Sequence, residues 1–406
     1  MPDAAKADKH IDVLDGVRAA AVGLVVWFHF WQQSWLTPRI RFPAGLVEYT
    51  KYLGITEINL EGFVRYGFQF VDLLILLSAF CNFYPYARAI LLQEPWPDTK
   101  RFYVKRAARI LPSYYLCLFV TLAVSFMEGD CVINGFFWKD LFTHITCISP
   151  LFPDTYLSTN FNGVLWTVQI EVMYYVLMPW IAKLFRKRPI LTCVALWGCG
   201  IISANYIVYE KAHMIRVYGN QIATFAGCYA NGMLLCMLYI TLKRRDLENR
   251  YTKLAASMAV FGCVLYLSRM MKQLGGGELQ VIQLQQRFEL SLVFSCFLLA
   301  LPFAAKGLQF LFSNRVMKFL ASISYNLYLW HQYIAVKCKV YRIPYWEGDT
   351  SPNMTGDLAW MWKYQILIVV VSLAAAVILT YGFEKRAAKV IFDKIDTHFP
   401  KQQKGN

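Results

Sequence analysis

The chain has 406 residues, of which 57% are hydrophobic, 16% aromatic and only 17% charged. That much apolar sequence exceeds what a soluble core absorbs, and it falls into runs long enough to cross a bilayer, about 20 residues each. The formal net charge of +15 would suggest nucleic acid in a soluble protein, but the positive residues cluster between the apolar runs, so the charge reports topology rather than a polyanionic partner.

Ten spans are predicted, at roughly 17–35, 66–85, 109–127, 163–183, 190–208, 218–240, 254–270, 287–305, 316–337 and 361–382. The seventh ends near Arg269 and the eighth starts near Arg287, which makes them the weakest. Basic clusters at Lys100 to Arg109, Lys183 to Arg188, Lys243 to Lys253 and from Lys385 onward all fall on one side under this count. By the positive-inside rule that side is the cytoplasm, and both termini lie there. The expected fold class is therefore all-α integral membrane, with a transmembrane domain over 1–385 and a short basic cytoplasmic tail over 386–406. That tail is expected to form an amphipathic helix on the inner surface. Asp12 and Asp15 interrupt the N-terminus, and no small-residue cleavage site follows the first span, so no cleavable signal peptide is expected. Loops of about 36–65, 128–162 and 340–360 fall on the outer side and suggest recognition there. Cys131 and Cys147 share the second of these loops, where an oxidising compartment would permit a disulfide.

Four spans carry polar groups that membrane packing does not require. The first holds Asp15, Arg18 and His29; the second, Asp72 and Ser78; the fourth, Gln169 and Glu171; the ninth, Tyr325, Asn326 and His331. Ionisable groups in hydrocarbon are functional candidates by default. Arg18 and His29 are eleven positions apart, close to three helical turns, which sets them on one stripe roughly 16 Å apart. Counting about 1.5 Å per residue, His29, His331, Asp72 and Glu171 share one layer in the outer half of the membrane. A histidine there suits a general base, and a neighbouring carboxylate suits its orientation. The plainer readings are buried histidines that only tie helices together, and carboxylates paired with arginines. On the inner side Arg101, Lys105, Arg106 and Arg109 either anchor the third span or, with Arg18, hold the phosphates of a nucleotide-like donor. The sequence offers no Walker loop, no dinucleotide fingerprint, no metal-ligand spacing and no nucleophile elbow.

These segments together resemble the membrane-bound acyltransferase-3 family of integral-membrane O-acyltransferases. The opening LDG-x-R and distant histidine match Asp15, Gly16, Arg18 and His29. The VD-x5-SGF element matches Val71, Asp72, Ser78 and Phe80, and R-x-x-R-I-x-P matches Arg106, Arg109, Ile110 and Pro112. WSL-x-x-E-x-x-Y matches Trp166, Glu171 and Tyr174, and SYSLYLWH matches Ser324, Tyr325 and Leu327 to His331. The five elements run in the family's order. Ala19, Ala79, Thr167, Val172 and Asn326 depart from it, so helix packing or pocket size is expected to differ. No stretch resembles the soluble SGNH-type domain that some members carry.

The resemblance implies acyl-CoA, acetyl-CoA by default, as donor substrate with no permanently bound cofactor. The acceptor it implies is a hydroxyl of a surface glycan or small molecule. It also implies a multi-pass protein of a cell membrane, the bacterial cytoplasmic membrane in particular, with lipid and substrates as partners and no nucleic acid. In this reading Arg18, Arg106 and Arg109 bind the donor and His29 is the base. Glu171 or Asp72 orients His29; Trp166, Tyr325, His331 and Ser78 contact substrate. Direct transfer is expected because no serine or cysteine has evident activation, with Ser78 as the fallback nucleophile. The competing reading is a proton-coupled transporter or flippase of a glycan or metabolite, since intramembrane His, Asp and Glu also build proton relays.

Overall fold

Within hydrocarbon every backbone N–H and C=O must be satisfied inside its own segment, so the apolar runs have to be helical. A computed structural model describes residues 11–37, 39–50, 57–245, 249–274 and 278–398, and in it they are. The long helices are α1 (Asp12–Ser34), α2 (Phe70–Leu91), α3 (Thr99–Glu128), α4 (Leu165–Lys187), α5 (Pro189–Glu210), α6 (Ala226–Arg244), α7 (Arg250–Gln273), α8 (Leu279–Ala300), α9 (Arg315–Val340) and α10 (Leu358–Leu379). Polar side chains set several starts: Asp98, Asn249, Asn314 and Asp357 each accept from a backbone N–H in the first turn of the helix that follows. Between α1 and α2, β1 (Arg39–Arg41) pairs antiparallel with β2 (Glu57–Asn59).

Among the described residues, nine helices rather than ten are long and apolar enough to cross a membrane. The missing one is α9, the predicted ninth span. It forms as a 26-residue helix, but serine, asparagine, histidine, tyrosine and lysine dilute its apolar content. Its packing shows what those residues are for. At one end Lys318 bonds Asp12 of α1, and at the other Lys339 donates to the Gln33 carbonyl at 2.9 Å. The two contacts lie twenty-one residues apart on both helices, about 31 Å, which is a hydrocarbon thickness. α9 therefore runs parallel to α1 along its whole length, with Ser324, Asn326 and His331 buried against protein. We call the Asp12–Lys318 side the basic end and the Gln33–Lys339 side the loop end.

Close approach of these helices depends on small residues. A Cβ on Gly16 would come within 1.7 Å of the Phe312 carbonyl oxygen, so the short helix Lys306–Ser313 seats on α1 only because residue 16 is glycine. α6 packs against α2, α5 and α8. There Gly232 meets Ala79, which is fully buried and stands where the family commonly has glycine.

Segment 128–162 is tied down by a buried cluster on the helix Gly135–Ile145. Asp140 accepts from the Asn160 N–H at 2.9 Å and the Thr159 hydroxyl at 3.1 Å, and its other oxygen lies 3.1 Å from His144 Nδ1. His144 Nε2 is 3.3 Å from Ser149 Oγ, but Ser149 gives its proton to Gln169 at 2.6 Å. By residue type this is a nucleophile triad. By access it is a clasp, since all three side chains are buried. Cys131 and Cys147 are both free thiols, Cys147 buried. Beyond α10 a π-helical turn, Thr380–Glu384, leads into α11 (Lys385–His398), so the first part of the tail is helical; residues 399–406 lie outside the described residues.

Candidate active site

The parallel pairing of α1 and α9 brings two predicted residues into contact. His29 Nδ1 lies 2.9 Å from His331 Nε2. The remaining nitrogen of His331, Nδ1, faces the carbonyls of Tyr328 at 2.7 Å and Leu327 at 3.1 Å. Carbonyls only accept, so the proton of a neutral His331 belongs on Nδ1 and its Nε2 is an acceptor. The proton between the rings therefore belongs to His29 Nδ1. This leaves His29 Nε2 with a bare lone pair. His331 is fully buried, whereas His29 lines a cavity of about 510 Å³ at the loop end. Two carbonyls thus fix one ring, and that ring holds the proton of the other on Nδ1, in a side chain that lines the cavity.

This corrects two sequence expectations. His331, expected as a substrate contact, instead bonds His29 and lines neither of the two cavities. Neither carboxylate orients His29. Asp72, 1% exposed, pairs with Arg287, 4% exposed, at 3.2 Å. Arg287 is held in turn by Thr224 Oγ1 at 2.9 Å, by the Gly219 carbonyl and by the Phe225 ring, whose centroid lies 4.0 Å from its guanidinium carbon. Asp72 and Arg287 both form part of the loop-end cavity wall, together with Trp166, which stacks on Phe225. Trp166 is where a substrate contact was expected.

Glu171 occupies a second, smaller cavity of about 150 Å³ on the basic-end side. It accepts from Ser78 Oγ at 2.6 Å and from the Tyr175 hydroxyl. Ser78, the fallback nucleophile of a sequence in which no serine showed evident activation, thus has a carboxylate beside it. Arg18, Arg106 and Arg109 converge on the same cavity, as the sequence suggested. Arg18 bonds Asp15 at 3.2 Å and Cys81 Sγ at 3.4 Å, while Arg106 donates to the Cys81 carbonyl at 3.0 Å and lies over the Tyr175 ring. Tyr325 also lines this cavity and donates to the Ile110 carbonyl at 2.9 Å; it belongs with the arginines, not with Trp166.

Sequence reasoning missed three residues. Arg287 was visible as an arginine at the start of an apolar run, and the rule that flagged Arg18 applies to it equally. Glu384, in the π-helical turn, lines the basic-end cavity and accepts from Asn326, one of the family departures. Tyr328 lines both cavities; its position in an aromatic-rich stretch near a span end gave no sign of that.

With this geometry in place, comparison with known proteins adds the class. The chain belongs to the acyltransferase-3 family, whose model, described as an acyltransferase domain, matches residues 11–382. Among individual proteins it is 22% identical over 348 residues to the peptidoglycan O-acetyltransferase OatA of Listeria monocytogenes, covering 80% of this chain and 49% of that one. A provisionally named O-acetyltransferase of Staphylococcus aureus is 22% identical over 357 residues, covering 80% and 51%. A provisionally named acetyltransferase of Acidianus two-tailed virus is 26% identical over 239 residues, covering 58% and 65%. The chain thus spans about half the length of the two bacterial relatives. No solved structure matches it.

Proposed function

We propose that the protein is a membrane O-acyltransferase that moves an acyl group, acetyl by default, from cytoplasmic acyl-CoA to a hydroxyl of a glycan or small molecule presented at the opposite face. One observation carries this reading. A narrow cavity rich in arginine and a wider one holding a bare histidine nitrogen meet at a shared wall of Val71 and Tyr328. A donor with a charged head and a distant reactive thioester fits such a path. The basic clusters support placing the Arg18 end and both termini in the cytoplasm, with 386–406 as a cytoplasmic tail. The two bacterial relatives support a cell membrane, the bacterial cytoplasmic membrane in particular.

In this account Arg106, Arg109 and Arg18 take the donor phosphates, where guanidinium forks match phosphate oxygens. The pantetheine arm runs past Ser78 and Glu171 toward the wall. The acceptor lies against Trp166 in the wider cavity. His29 Nε2 removes its hydroxyl proton as the oxygen attacks the thioester carbonyl, then returns that proton to the departing CoA thiolate. The Asp72–Arg287 pair forms part of the acceptor cavity wall.

The test is donor binding by the purified protein. CoA is expected to raise its thermal midpoint, and Arg106→Ala is expected to weaken CoA about 10- to 100-fold, the range of one charge-assisted contact, with turnover at saturating donor nearly kept. Absence of any CoA effect would favour the transporter or flippase reading. The short Ser78–Glu171 bond supports a second route through an acyl-Ser78 intermediate; it predicts an acyl adduct on the protein when donor is supplied without acceptor, absent in Ser78→Ala.

A further inference from the structure

We propose that the hydroxyl of Tyr328 is a catalytic group that donates a hydrogen bond to the thioester oxygen as it becomes an oxyanion; this rests on the acyl-transfer reading above. Donor and acceptor enter from different cavities, so the reacting carbonyl has to sit where the two meet. Among the described residues, only Val71 and Tyr328 line both. Val71 offers no polar atom, which leaves the Tyr328 hydroxyl as the polar group of the shared wall.

Its proton is available. Tyr328 Oη lies 2.8 Å from Thr167 Oγ1, and Thr167 Oγ1 lies 3.0 Å from the Val164 carbonyl. Thr167 Oγ1 donates to Tyr328 Oη, so the Tyr328 hydroxyl accepts there and keeps its own proton for another acceptor. At rest Tyr328 thus accepts from a neutral hydroxyl and has its own proton to give. An oxyanion forming nearby is a stronger acceptor, because hydrogen bonds to charged groups are roughly twice as strong as neutral ones. Rotation about the C–O bond redirects the proton without moving the ring.

Tyr328 is also tied to the base. It lies one turn before His331 on α9, its backbone carbonyl holds His331 Nδ1 at 2.7 Å, and the two ring centroids are 5.7 Å apart. One residue therefore fixes the orienting histidine through its backbone and faces the junction through its side chain. The step balances. The acceptor oxygen bonds the carbonyl carbon, its proton passes to His29, and the carbonyl electron pair moves to the oxygen held by Tyr328. Collapse restores the carbonyl, breaks the carbon–sulfur bond and sends the proton from His29 to the thiolate.

The experiment is Tyr328→Phe, assayed for acetyl transfer from acetyl-CoA by the purified protein. Thr167 keeps Val164 as its partner, so the change leaves no buried donor unpaired, and an unaltered thermal midpoint and CoA-induced stabilisation check the fold. The expected result is a loss of about 10²- to 10³-fold in kcat, the range for one oxyanion donor, with KM for acetyl-CoA within about twofold of wild type, the signature of a contact made only in the transition state. Turnover within about threefold of wild type, or a loss confined to KM, would overturn the assignment. So would an acyl group found on residue 328 after a single turnover, which would make it a nucleophile. Failure of the underlying reading looks different: the wild type itself transfers nothing, or His29→Ala turns over normally, and either result removes this proposal as well.

Discussion

His29→Ala is expected to lower acyl transfer by about 10²- to 10⁴-fold in kcat, the usual range for removing a positioned general base, while leaving CoA binding intact. The two parts of that expectation come from different places in the molecule. His29 lines the wider cavity, and Arg18, Arg106 and Arg109 line the narrower one. His331→Ala is expected to fall between wild type and His29→Ala. Without the acceptor at 2.9 Å, the His29 ring loses the partner that favours its proton on Nδ1, and it then spends part of its time in the other tautomer. A pH–rate profile measured on all three proteins checks the order. Equal losses for both histidines would mean that they act as one proton-sharing unit.

Breaking the Asp72–Arg287 pair is the second large effect, and it falls on stability. Both side chains are almost fully buried at 3.2 Å, so removing one leaves an uncompensated charge away from water. Arg287→Met alone is expected to destabilise the protein by about 3–5 kcal/mol, while replacing both partners by apolar residues recovers most of that loss. A double-mutant cycle on the detergent-solubilised protein measures the coupling. The cycle also separates two roles for Asp72. As a charge partner it couples strongly to Arg287. As the orienter of His29 that the sequence suggested, it would couple to His29 instead.

That contrast shows what the sequence could and could not reveal. Depth along a span is a count of residues, and the count put His29 and His331 in one layer, where they do meet. It put Glu171 in the same layer too, yet Glu171 lies on the other side of the Val71–Tyr328 wall, bonded to Ser78. Depth does not say which neighbour a side chain faces; that depends on how each helix is rotated, and rotation is set by packing around the whole bundle. Close contacts such as Gly232 against Ala79 decide it, and no local pattern encodes them. The arginines were legible because charges near a membrane face announce themselves. Arg287 was legible by the same rule, but as a defect at the edge of a span it read as a boundary. α9 inverts the usual signal: serine, asparagine, histidine and lysine carry its contacts, so hydropathy alone omits it while its end-to-end contacts with α1 recover it.

The central claim is that donor and acceptor approach one junction from opposite faces. Sealed proteoliposomes containing the protein in a single orientation test it most directly. Acetyl-CoA is supplied only at the face carrying Arg106 and Arg109, and a labelled hydroxyl acceptor only at the other. The account predicts acylated acceptor in that arrangement and none when the two substrates are exchanged. Transfer that requires both substrates on the same face would contradict it.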